Sequence, residues 1–512
     1  MMETDSGRTT SVWMATADVP ASAPLAADTS ADVCVVGAGI AGLTTAYLLA
    51  REGAKVVVLE DGPTGGGMTA RTTAHLSNAL DDRFYELERL FGEEGARLAA
   101  ESHTAAIEKI ESVVGREGIE CEFERLDGYL FLHPTGTLKI LVDELEAAHR
   151  AGLGEVRRLE RAPLEAFDTG PCLHFPRQGQ FHPLKYLAGL ARAFARDGGR
   201  LFKAHASAIE GGAGARVETT DGHAVTCGAI VVATNTPVND RFAIHTKQAP
   251  YTTYVVGARL PQGSVPKVLL WDMPGDTDEA YHYVRLESVG DYDVLVVGGE
   301  DHKTGQSQDA ARRWGKLEQW ARNRFDVIEG IEYRWSGQVM EPFDGPAFIG
   351  RNPADSDNVL IATGDSGMGM THGTIAGMLL TDLINGRENP WAELYDPARK
   401  TLSAVADYAK ENLNVMAQYT ELATPGDVES ADDIAPGDGA IIRRGLTKVA
   451  AFRDEDGKLH EHSAICAHLG CVVRFDPAEK TWNCPCHGSR YDARDGHVVN
   501  GPANKGLAAA NE

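Results

Sequence analysis

The sequence predicts two folded parts, a large α/β body and a small all-β module near the C-terminal end. The first part is indicated by residues 33–60, which read as a strand, a glycine-rich turn, a helix and a second strand. The second part is indicated by two short boxes of Cys and His between residues 466 and 491. With 512 residues, 43% of them hydrophobic, the chain is long enough to bury a core in each part.

Composition narrows the classes of partner. There are 49 Lys and Arg against 74 Asp and Glu, a formal charge of −25, which argues against nucleic acid and anionic membranes. Residues 1–30 have neither a basic start nor an apolar segment, so we expect a flexible tail and no secretory signal. A cytoplasmic protein with no integral membrane segment is expected. Four scattered cysteines suit reduced thiols: Cys34, Cys121, Cys172 and Cys227.

The glycine-rich turn has the spacing of a dinucleotide site. After the run Val-Cys-Val-Val come Gly37, Gly39 and Gly42 in the pattern GxGxxG, and Glu60 ends the following strand. Gly37 permits the tight turn, Gly39 the approach of a pyrophosphate and Gly42 close helix packing, while Glu60 suits a ribose hydroxyl. The uncharged stretch 33–50 is about long enough to span a bilayer, but its glycines and threonines favour the strand–turn–helix interpretation. FAD and NAD share this fingerprint.

Four later segments decide between the two cofactors by resemblance. They are Gly65–His75, Ala229–Pro237, Glu341–Gly350 and Val359–Gly373, and in this order they resemble the D-amino-acid oxidase (DAO) superfamily of FAD enzymes. The resemblance covers roughly residues 30–390. It implies an α/β Rossmann-like FAD-binding fold over 31–410, with FAD segments at 33–80, 206–237 and 341–386. It also implies an antiparallel substrate sheet at about 245–335.

The resemblance assigns FAD contacts to individual residues. The loop 367–371 corresponds to one that presents backbone amides to the pyrimidine edge of the flavin. His75 lies where some members join a His covalently to the flavin, although a His without that bond is the commoner case. The cofactor-binding candidates are Gly37, Gly39, Gly42, Glu60, Arg71, Thr72, His75, Gly364, Gly367, Met368, Gly369, Met370 and Thr371.

Four polar residues are candidates for the substrate pocket: His182, Tyr283, Arg285 and His372. The alternative is that they are ordinary sheet and helix-cap residues. A guanidinium can clamp a carboxylate through two hydrogen bonds, so Arg285 would suit an N-substituted amino acid.

Helices are predicted at 83–115 and 136–151, where charged faces alternate with apolar positions, and after Pro183. Residues 411–430 include a stretch rich in Ala, Asp, Pro and Gly and are predicted to be a linker, followed by the all-β module at 431–512.

The two boxes of the module read Cys466-Ala-His468-Leu-Gly-Cys471 and Cys484-Pro-Cys486-His487-Gly-Ser489-Arg-Tyr491. A Cys and a His from each box can hold a [2Fe-2S] cluster, one iron on sulfur and the other on nitrogen. Zinc accepts the same residue types, but zinc sites with two Cys and two His rarely have this spacing with two spare cysteines beside them.

The boxes resemble those of the Rieske proteins of cytochrome bc1 and b6f complexes. The resemblance implies a Rieske [2Fe-2S] domain with the ligands Cys466, His468, Cys484 and His487, and a disulfide between Cys471 and Cys486. It also implies that Ser489 and Tyr491 donate hydrogen bonds to cluster sulfur, which raises the reduction potential. The segment from Asn500 to Ala503 matches the proline loop that covers the cluster in that family.

The two cofactors together predict a redox relay. We expect an amine or amino acid to lose a hydride to FAD, after which the cluster passes electrons singly to a quinone, cytochrome or ferredoxin. A dehydrogenase is therefore expected in preference to an oxidase. Two alternatives stay open at this stage: reverse flow from ferredoxin to a flavin reductase site, and a redox sensor or electron-transfer adaptor with no substrate.

Overall fold

The structure is a computed structural model that describes residues 6–239, 243–273 and 281–510. Its central layer is a seven-stranded sheet, parallel except at one edge. In spatial order its strands are Ala23–Pro24, Arg200–Lys203, Val56–Glu60, Val33–Val36, Ala229–Val232, Val359–Thr363 and Phe348–Arg351. The inner strands are continuous runs of buried apolar residues, as expected when helices or other layers cover both faces of a parallel sheet.

Helices pack against this sheet and against one another, and the helix at Ala310–Arg322 packs instead against the large sheet described below. They are Val12–Thr16, Ile40–Arg51, Phe84–Glu117, Leu138–Arg150, Pro183–Arg196, Ala310–Arg322, Gly369–Ile384, Ala392–Tyr395 and Val405–Gln418. Short 3-10 turns lie at Met68–Arg71, Leu402–Ala404, Tyr419–Ala423 and Ala431–Asp433. The predicted helices at 83–115, at 136–151 and after Pro183 are confirmed to within a few residues.

A large sheet of nine strands forms the second layer. Eight of its strands lie in the spatial order Gly330–Pro342, Gln248–Pro261, Tyr292–Lys303, His282–Val289, Leu269–Met273, Glu124–Leu132, Cys172–Gln180 and His75–Leu76. The ninth strand, Arg157–Leu159, pairs with Cys172–Gln180. The first five strands lie where the sequence predicts an antiparallel sheet. The remaining strands come from residues 75–180, and the Leu269–Met273 strand pairs with Glu124–Leu132 in parallel. The sheet is therefore mixed, and not purely antiparallel. The strands from residues 75–180 join it through long-range pairing, which no local sequence pattern predicts. A four-stranded sheet of Ala206–Glu210, Arg216–Thr219, Ala224–Thr226 and Thr29–Ser30 lies apart from it.

The N-terminal segment differs from the flexible tail expected from sequence. Residues 11–14 are buried, and the indole of Trp13 donates to the Thr72 carbonyl at 2.7 Å. Ser11 Oγ donates to the Ala70 carbonyl at 2.6 Å. Burial of the Trp13 ring, with its polar groups hydrogen-bonded, offsets the conformational entropy that a short segment loses on ordering. The many Ala, Ser and Thr residues of this segment suggest disorder, so the sequence did not predict this anchoring.

The C-terminal module is all-β, as the sequence predicts, and contains two small antiparallel sheets. One has the strands Asp438–Arg444, Thr447–Arg453 and Leu459–Ser463, and the other Arg474–Asp476, Thr481–Asn483, Arg490–Asp492 and Val498–Asn500. Trp482 and Tyr491 are fully buried in its core. The predicted linker is more ordered than expected, because the Val405–Gln418 helix and a 3-10 turn continue to Ala423.

Candidate cofactor cavity and metal centre

An elongated cavity runs between the parallel sheet and the large sheet. It begins at the turn before the Ile40–Arg51 helix and reaches the loop before the Gly369–Ile384 helix. Its empty volume, with the open mouth included, is about 2130 Å³. A cavity of this shape suits an extended dinucleotide better than a compact ligand.

The glycine turn at one end has the predicted geometry. Gly37 has φ of 102°, and a Cβ there would lie 2.4 Å from the Ala233 carbonyl oxygen. A Cβ on Gly42 would lie 1.9 Å from the Gly37 carbonyl oxygen, so the helix could not pack against the turn with any larger residue. Gly39 lies at the start of the helix and lines the cavity. Backbone N–H groups at a helix start favour a phosphate there.

Glu60 lies beside this turn and lines the cavity. Its carboxylate accepts from the Ala38 amide at 2.6 Å. Burial, and secondly the neighbouring Asp61, raise the pKa of Glu60 to about 8. Asp61 in turn contacts His205 Nδ1 at 3.1 Å. This is the end of the cavity where the fingerprint predicts a ribose.

The late glycine-rich loop forms the other end. Gly364, Gly367, Met368, Gly369 and Met370 all line the cavity, and their contact with the flavin stays a prediction. Thr371 does not line the cavity. Its hydroxyl donates to the Met368 carbonyl at 3.1 Å and contacts His103 Nδ1 at 2.8 Å, so it supports the loop from behind.

Acidic residues line the cavity near this loop, and sequence reasoning missed them. They are Asp81, Asp301, Glu341 and Asp365. Burial raises the pKa of Asp301 and of Asp365 to about 6. Asp301 Oδ1 is buried without a hydrogen-bond partner among the described residues. No local signal marks these residues, because they come from four separate segments.

Two predicted substrate residues lie in this cavity. Tyr283 lines it, and its hydroxyl hydrogen-bonds to Thr253 Oγ1 at 2.5 Å. His372 also lines it, with Nδ1 2.9 Å from the Asp365 carbonyl oxygen and Nε2 3.2 Å from His103 Nε2. Burial lowers the pKa of His372 to about 4, so the ring is neutral at pH 7.

The other two candidates, His182 and Arg285, are absent from the described cavity lining and are structural. His182 begins the Pro183–Arg196 helix and accepts from the Lys185 amide at 3.3 Å. The Arg285 guanidinium donates to the carbonyls of Ala74 and Phe181 and is ion-paired with Glu287. Its charge is thus already paired inside the core, with Nε left without a hydrogen-bond partner among the described residues, and the expected carboxylate clamp is corrected. Alternation along the strand puts Tyr283 and Arg285 on one face, but only Tyr283 reaches the cavity.

His75 and Thr72 also line the cavity, and their contact with FAD stays a prediction. Both His75 nitrogens have protein neighbours: Nδ1 is 3.1 Å from Thr73 Oγ1 and Nε2 is 3.2 Å from the Val284 carbonyl oxygen. Burial, and secondly Arg285, lower the pKa of His75 to about 3.

The two Cys/His boxes form facing loops in the C-terminal module. The Cys466 amide donates to the Cys471 carbonyl at 2.8 Å, and the Gly488 amide donates to the Cys484 carbonyl at 3.1 Å. The rings of His468 and His487 have centroids 5.0 Å apart. The loops therefore bring one Cys and one His each to a common point.

The donor set fits an iron–sulfur cluster. Cys466 and Cys484 are buried and free, and the interaction with Cys484 holds the pKa of Cys466 at about 6, which favours a thiolate. His487 Nδ1 is buried and has no hydrogen-bond partner among the described residues, as a ligand nitrogen would before a metal binds.

The residues around the ligands follow the predicted pattern. Cys471 and Cys486 form a disulfide with Cα atoms 6.6 Å apart. The Tyr491 hydroxyl is 3.1 Å from Cys466 Sγ. Ser489 Oγ accepts from the Ala503 amide at 3.0 Å, so its hydroxyl hydrogen can point elsewhere.

The module is docked on the cavity. Arg71 lines the cavity as predicted, but its Nη1 forms a fully buried ion pair with Glu479 of the module at 3.0 Å. Gln338, another lining residue, donates to the Gly488 carbonyl at 2.9 Å, next to His487. The His245 ring lies 4.9 Å from that of His468, measured between centroids. The histidine side of the metal site thus faces the larger part of the protein.

Comparison with known families agrees with both halves of the structure. Residues 32–383 match the DAO family of FAD dependent oxidoreductases, and residues 424–511 match the Rieske [2Fe-2S] domain. The larger part therefore binds FAD and the smaller part a 2Fe-2S cluster.

Two relatives are similar over most of the chain. One is YhfW of Bacillus subtilis (strain 168), named as a Rieske 2Fe-2S iron-sulfur protein, at 33% identity over 97% of this chain and 96% of the relative. The other is gamma-glutamylputrescine oxidoreductase of Escherichia coli (strain K12), at 28% identity over 69% of this chain and 84% of the relative.

The separate parts also have relatives. The Rieske part is 47% identical to a cytochrome b6-f iron-sulfur subunit of Cyanophora paradoxa, over 15% of this chain and 32% of that one. The crystal structure of glycine oxidase from Geobacillus kaustophilus has a TM-score of 0.58 at 20% identity, over 72% of this chain and 99% of that one, and shows the shared fold.

Within the ranges that the structure describes, no helix combines the length and apolar character needed to cross a bilayer. The fingerprint turn, the late glycine-rich loop and the family match over residues 32–383 agree with one another. The chain belongs to the DAO family of FAD-dependent oxidoreductases and carries a C-terminal Rieske [2Fe-2S] domain.

Proposed function

We propose that the protein dehydrogenates a cationic amine and passes the electrons through its Rieske cluster to an external quinone, cytochrome or ferredoxin. The bond oxidised is the C–H next to the amine nitrogen. The carbon loses a hydride, the nitrogen loses a proton, and a C=N bond forms. FAD, when bound, supplies the hydride acceptor.

The charge of the cavity wall supports an amine without a carboxylate. Four carboxyl groups lie near the late loop, and among the described lining residues Arg71 is the one Arg or Lys. Its charge is already paired with Glu479. Because a buried carboxylate of the substrate would find no free cation here, an amino acid would be bound poorly, whereas an ammonium group would find several acceptors.

Asp301 is the residue that carries the proposal. Asp301 lines the cavity together with Thr253 and Tyr283, and its Oδ1 is buried with no hydrogen-bond partner among the described residues. With a pKa raised to about 6 by burial, its carboxylate can bind the ammonium and accept the proton that must leave before hydride transfer. Tyr283 and the neutral His372 complete the polar lining. The relative gamma-glutamylputrescine oxidoreductase bears an amine in its name, which is consistent with this class.

The docked cluster domain supports a dehydrogenase in preference to an oxidase. Gln338 joins the cavity wall to the loop of His487, so the module lies against the flavin site. Such a contact gives electrons a covalent and hydrogen-bonded route of a few residues. A cytoplasmic location would suit the four buried free cysteines of the larger part, and we include it in the proposal.

The test is anaerobic rapid mixing of the oxidised protein with matched pairs of compounds, such as N-methylbutylamine and N-methylalanine. Flavin bleaching by the amine alone, followed by cluster reduction, is the expected result. Equal bleaching by the amino acid would contradict the cationic class.

Bleaching without any cluster reduction would contradict the relay. If no compound bleaches the flavin and a reduced ferredoxin reduces the cluster first, the direction is the reverse one. Asp301→Asn should lower kcat/KM for the amine by about 10²–10⁴ and remove the rise of rate with pH through about 6. Asp309→Asn, on the half-exposed start of the Ala310–Arg322 helix and outside the cavity lining, is the control.

A further inference from the structure

The FAD cavity has a wall that does not come from the DAO domain. Its lining includes six residues of the Rieske domain. Three belong to the last strand (Val498, Val499 and Asn500) and three to the loop that follows (Gly501, Ala503 and Asn504). Neither family match extends a FAD-binding role to this segment, since the DAO match ends at residue 383.

The segment runs along the cavity from Gln338, which Asn500 contacts, to the end where Glu60 lies, which Asn504 closes. Ala204, His205 and Ala206 line the cavity beside it, and the Ala204 amide donates to the Glu60 carbonyl at 2.8 Å. Because Glu60 is the fingerprint acid that binds a ribose hydroxyl, this end receives the adenosine half of FAD.

Asn504 holds the segment in place. Its Nδ2 donates to the carbonyls of Ala206 at 2.9 Å and Ser207 at 3.2 Å. Its own carbonyl oxygen is 3.4 Å from His205 Nε2, and His205 also contacts Asp61, the neighbour of Glu60. A short chain of contacts therefore runs from the ribose acid to the Rieske loop.

The same loop is attached to the cluster on its other side. The Ala503 amide donates to Ser489 Oγ at 3.0 Å, and Ser489 is two residues after the predicted ligand His487. Asn500 Nδ2 donates to Gln338, which also donates to the Gly488 carbonyl. Ordering of the loop by either cofactor would thus favour the conformation that the other requires.

We propose that residues 498–504 of the Rieske domain are part of the FAD site, with Asn504 closing over its adenosine end, so that FAD and the cluster stabilise each other's binding. The coupling must act in both directions, because an effect of one ligand on another is reciprocal in free energy. The proposal does not depend on the substrate or on the direction of electron flow.

The first experiment measures flavin affinity in protein that has lost its flavin but keeps its cluster. Asn504→Ala removes two hydrogen bonds and should raise the Kd for FAD about five- to tenfold, while the Kd for FMN, which lacks adenosine, should not change. Lys505→Ala, at the exposed neighbouring residue outside the cavity lining, is the control and should match the parent. Equal FAD affinity of Asn504→Ala and the parent would overturn the proposal.

The second experiment measures the reverse effect without any variant. Release of iron to a chelator should be slower in the FAD-loaded protein than in the FMN-loaded or flavin-free protein. Identical release in all three would overturn the coupling. If Asn504→Ala does not fold, Asn504→Asp keeps the size of the side chain and removes both donors, and the same affinity comparison applies.

Discussion

At the scale of single residues, the largest departure from the sequence analysis concerns two arginines. The sequence suggests that Arg285 binds a substrate carboxylate, but its guanidinium donates to backbone carbonyls and is ion-paired with Glu287. Arg71 lines the cofactor cavity yet is paired with Glu479 across the domain boundary. A guanidinium has five N–H donors, so burying it is tolerated only where several acceptors are within hydrogen-bond distance. The positions of those acceptors in the fold therefore decide what a buried arginine does.

The buried pair predicts how the docked state depends on Glu479. Glu479→Gln leaves Arg71 charged and unpaired, so we expect a loss of about 3–5 kcal/mol in the free energy of unfolding, measured by denaturant titration of the holoprotein. Glu94→Gln removes an exposed ion pair with Arg97 and should change nothing measurable. A Glu479 variant as stable as the parent would show that the pair contributes nothing.

The same pair predicts a dependence on pH. Burial raises the pKa of Glu479, but Arg71, Arg490 and hydrogen bonds from Ser336 and Thr9 outweigh it and hold the pKa below the ordinary 4.5. A carboxyl with a lowered folded-state pKa stabilises the fold fully above its unfolded value and loses that contribution as the pH falls through the folded value. Stability should therefore drop below about pH 4.5 in the parent, and the drop should be smaller in Glu479→Gln.

At the scale of loops and elements, the metal site is built from two short boxes tied by a disulfide. The cross-link between Cys471 and Cys486 closes a segment of 15 residues that contains a ligand from the second box. The Tyr491 hydroxyl beside Cys466 comes from the strand that follows that box. Each feature acts on the cluster through the backbone that carries its ligands.

Removal of the disulfide should loosen this clamp. Cys471→Ser is expected to shorten the half-life of the cluster in the presence of a chelator, because a cross-link of this span stabilises the folded state by about 3 kcal/mol relative to the unfolded chain. Cys172→Ser, a buried free cysteine of the large sheet, is the control. An unchanged half-life in Cys471→Ser would count against a stabilising role for the bridge.

Loss of the Tyr491 hydroxyl should lower the reduction potential of the cluster. A hydrogen bond to charged sulfur of about 1.5 kcal/mol corresponds to about 60 mV for one electron, so Tyr491→Phe should shift the potential down by tens of millivolts in a redox titration. The control is Tyr419→Phe, whose hydroxyl donates to the Leu469 carbonyl at 2.9 Å and not to sulfur. Equal shifts in the two variants would exclude a specific effect of the bond to Cys466.

At the scale of the whole molecule, the two domains share buried contacts and are not merely joined by a tether. Glu479 is fully buried against Arg71, Thr9 and Ser336. Contacts that exclude water are hardly screened by salt. The cluster therefore does not have to diffuse to the flavin before an electron can pass between them.

Electron transfer from flavin to cluster should accordingly be first order. Its rate should not change with protein concentration, and raising the salt from about 0.01 M to 1 M should leave it unchanged. The rate of electron transfer to the external carrier, by contrast, should depend on both protein concentration and salt concentration. A flavin-to-cluster rate that falls steeply with salt would mean that the domains meet only transiently; stopped-flow absorbance distinguishes the two cases.

The sequence by itself determined the family and, through the resemblance to it, the two cofactors; the cluster ligands that it names stay a prediction. A GxGxxG turn and the two Cys/His boxes act through a few consecutive residues, and their geometry is local, as Gly37, Gly42 and the disulfide show. Tertiary structure decided the rest. The carboxyl groups of Asp81, Asp301, Glu341 and Asp365 meet only because the large sheet folds over the late loop, and Arg71 reaches Glu479 across 408 positions. The function of a buried charged side chain depends on the groups around it, and long-range packing brings those groups together.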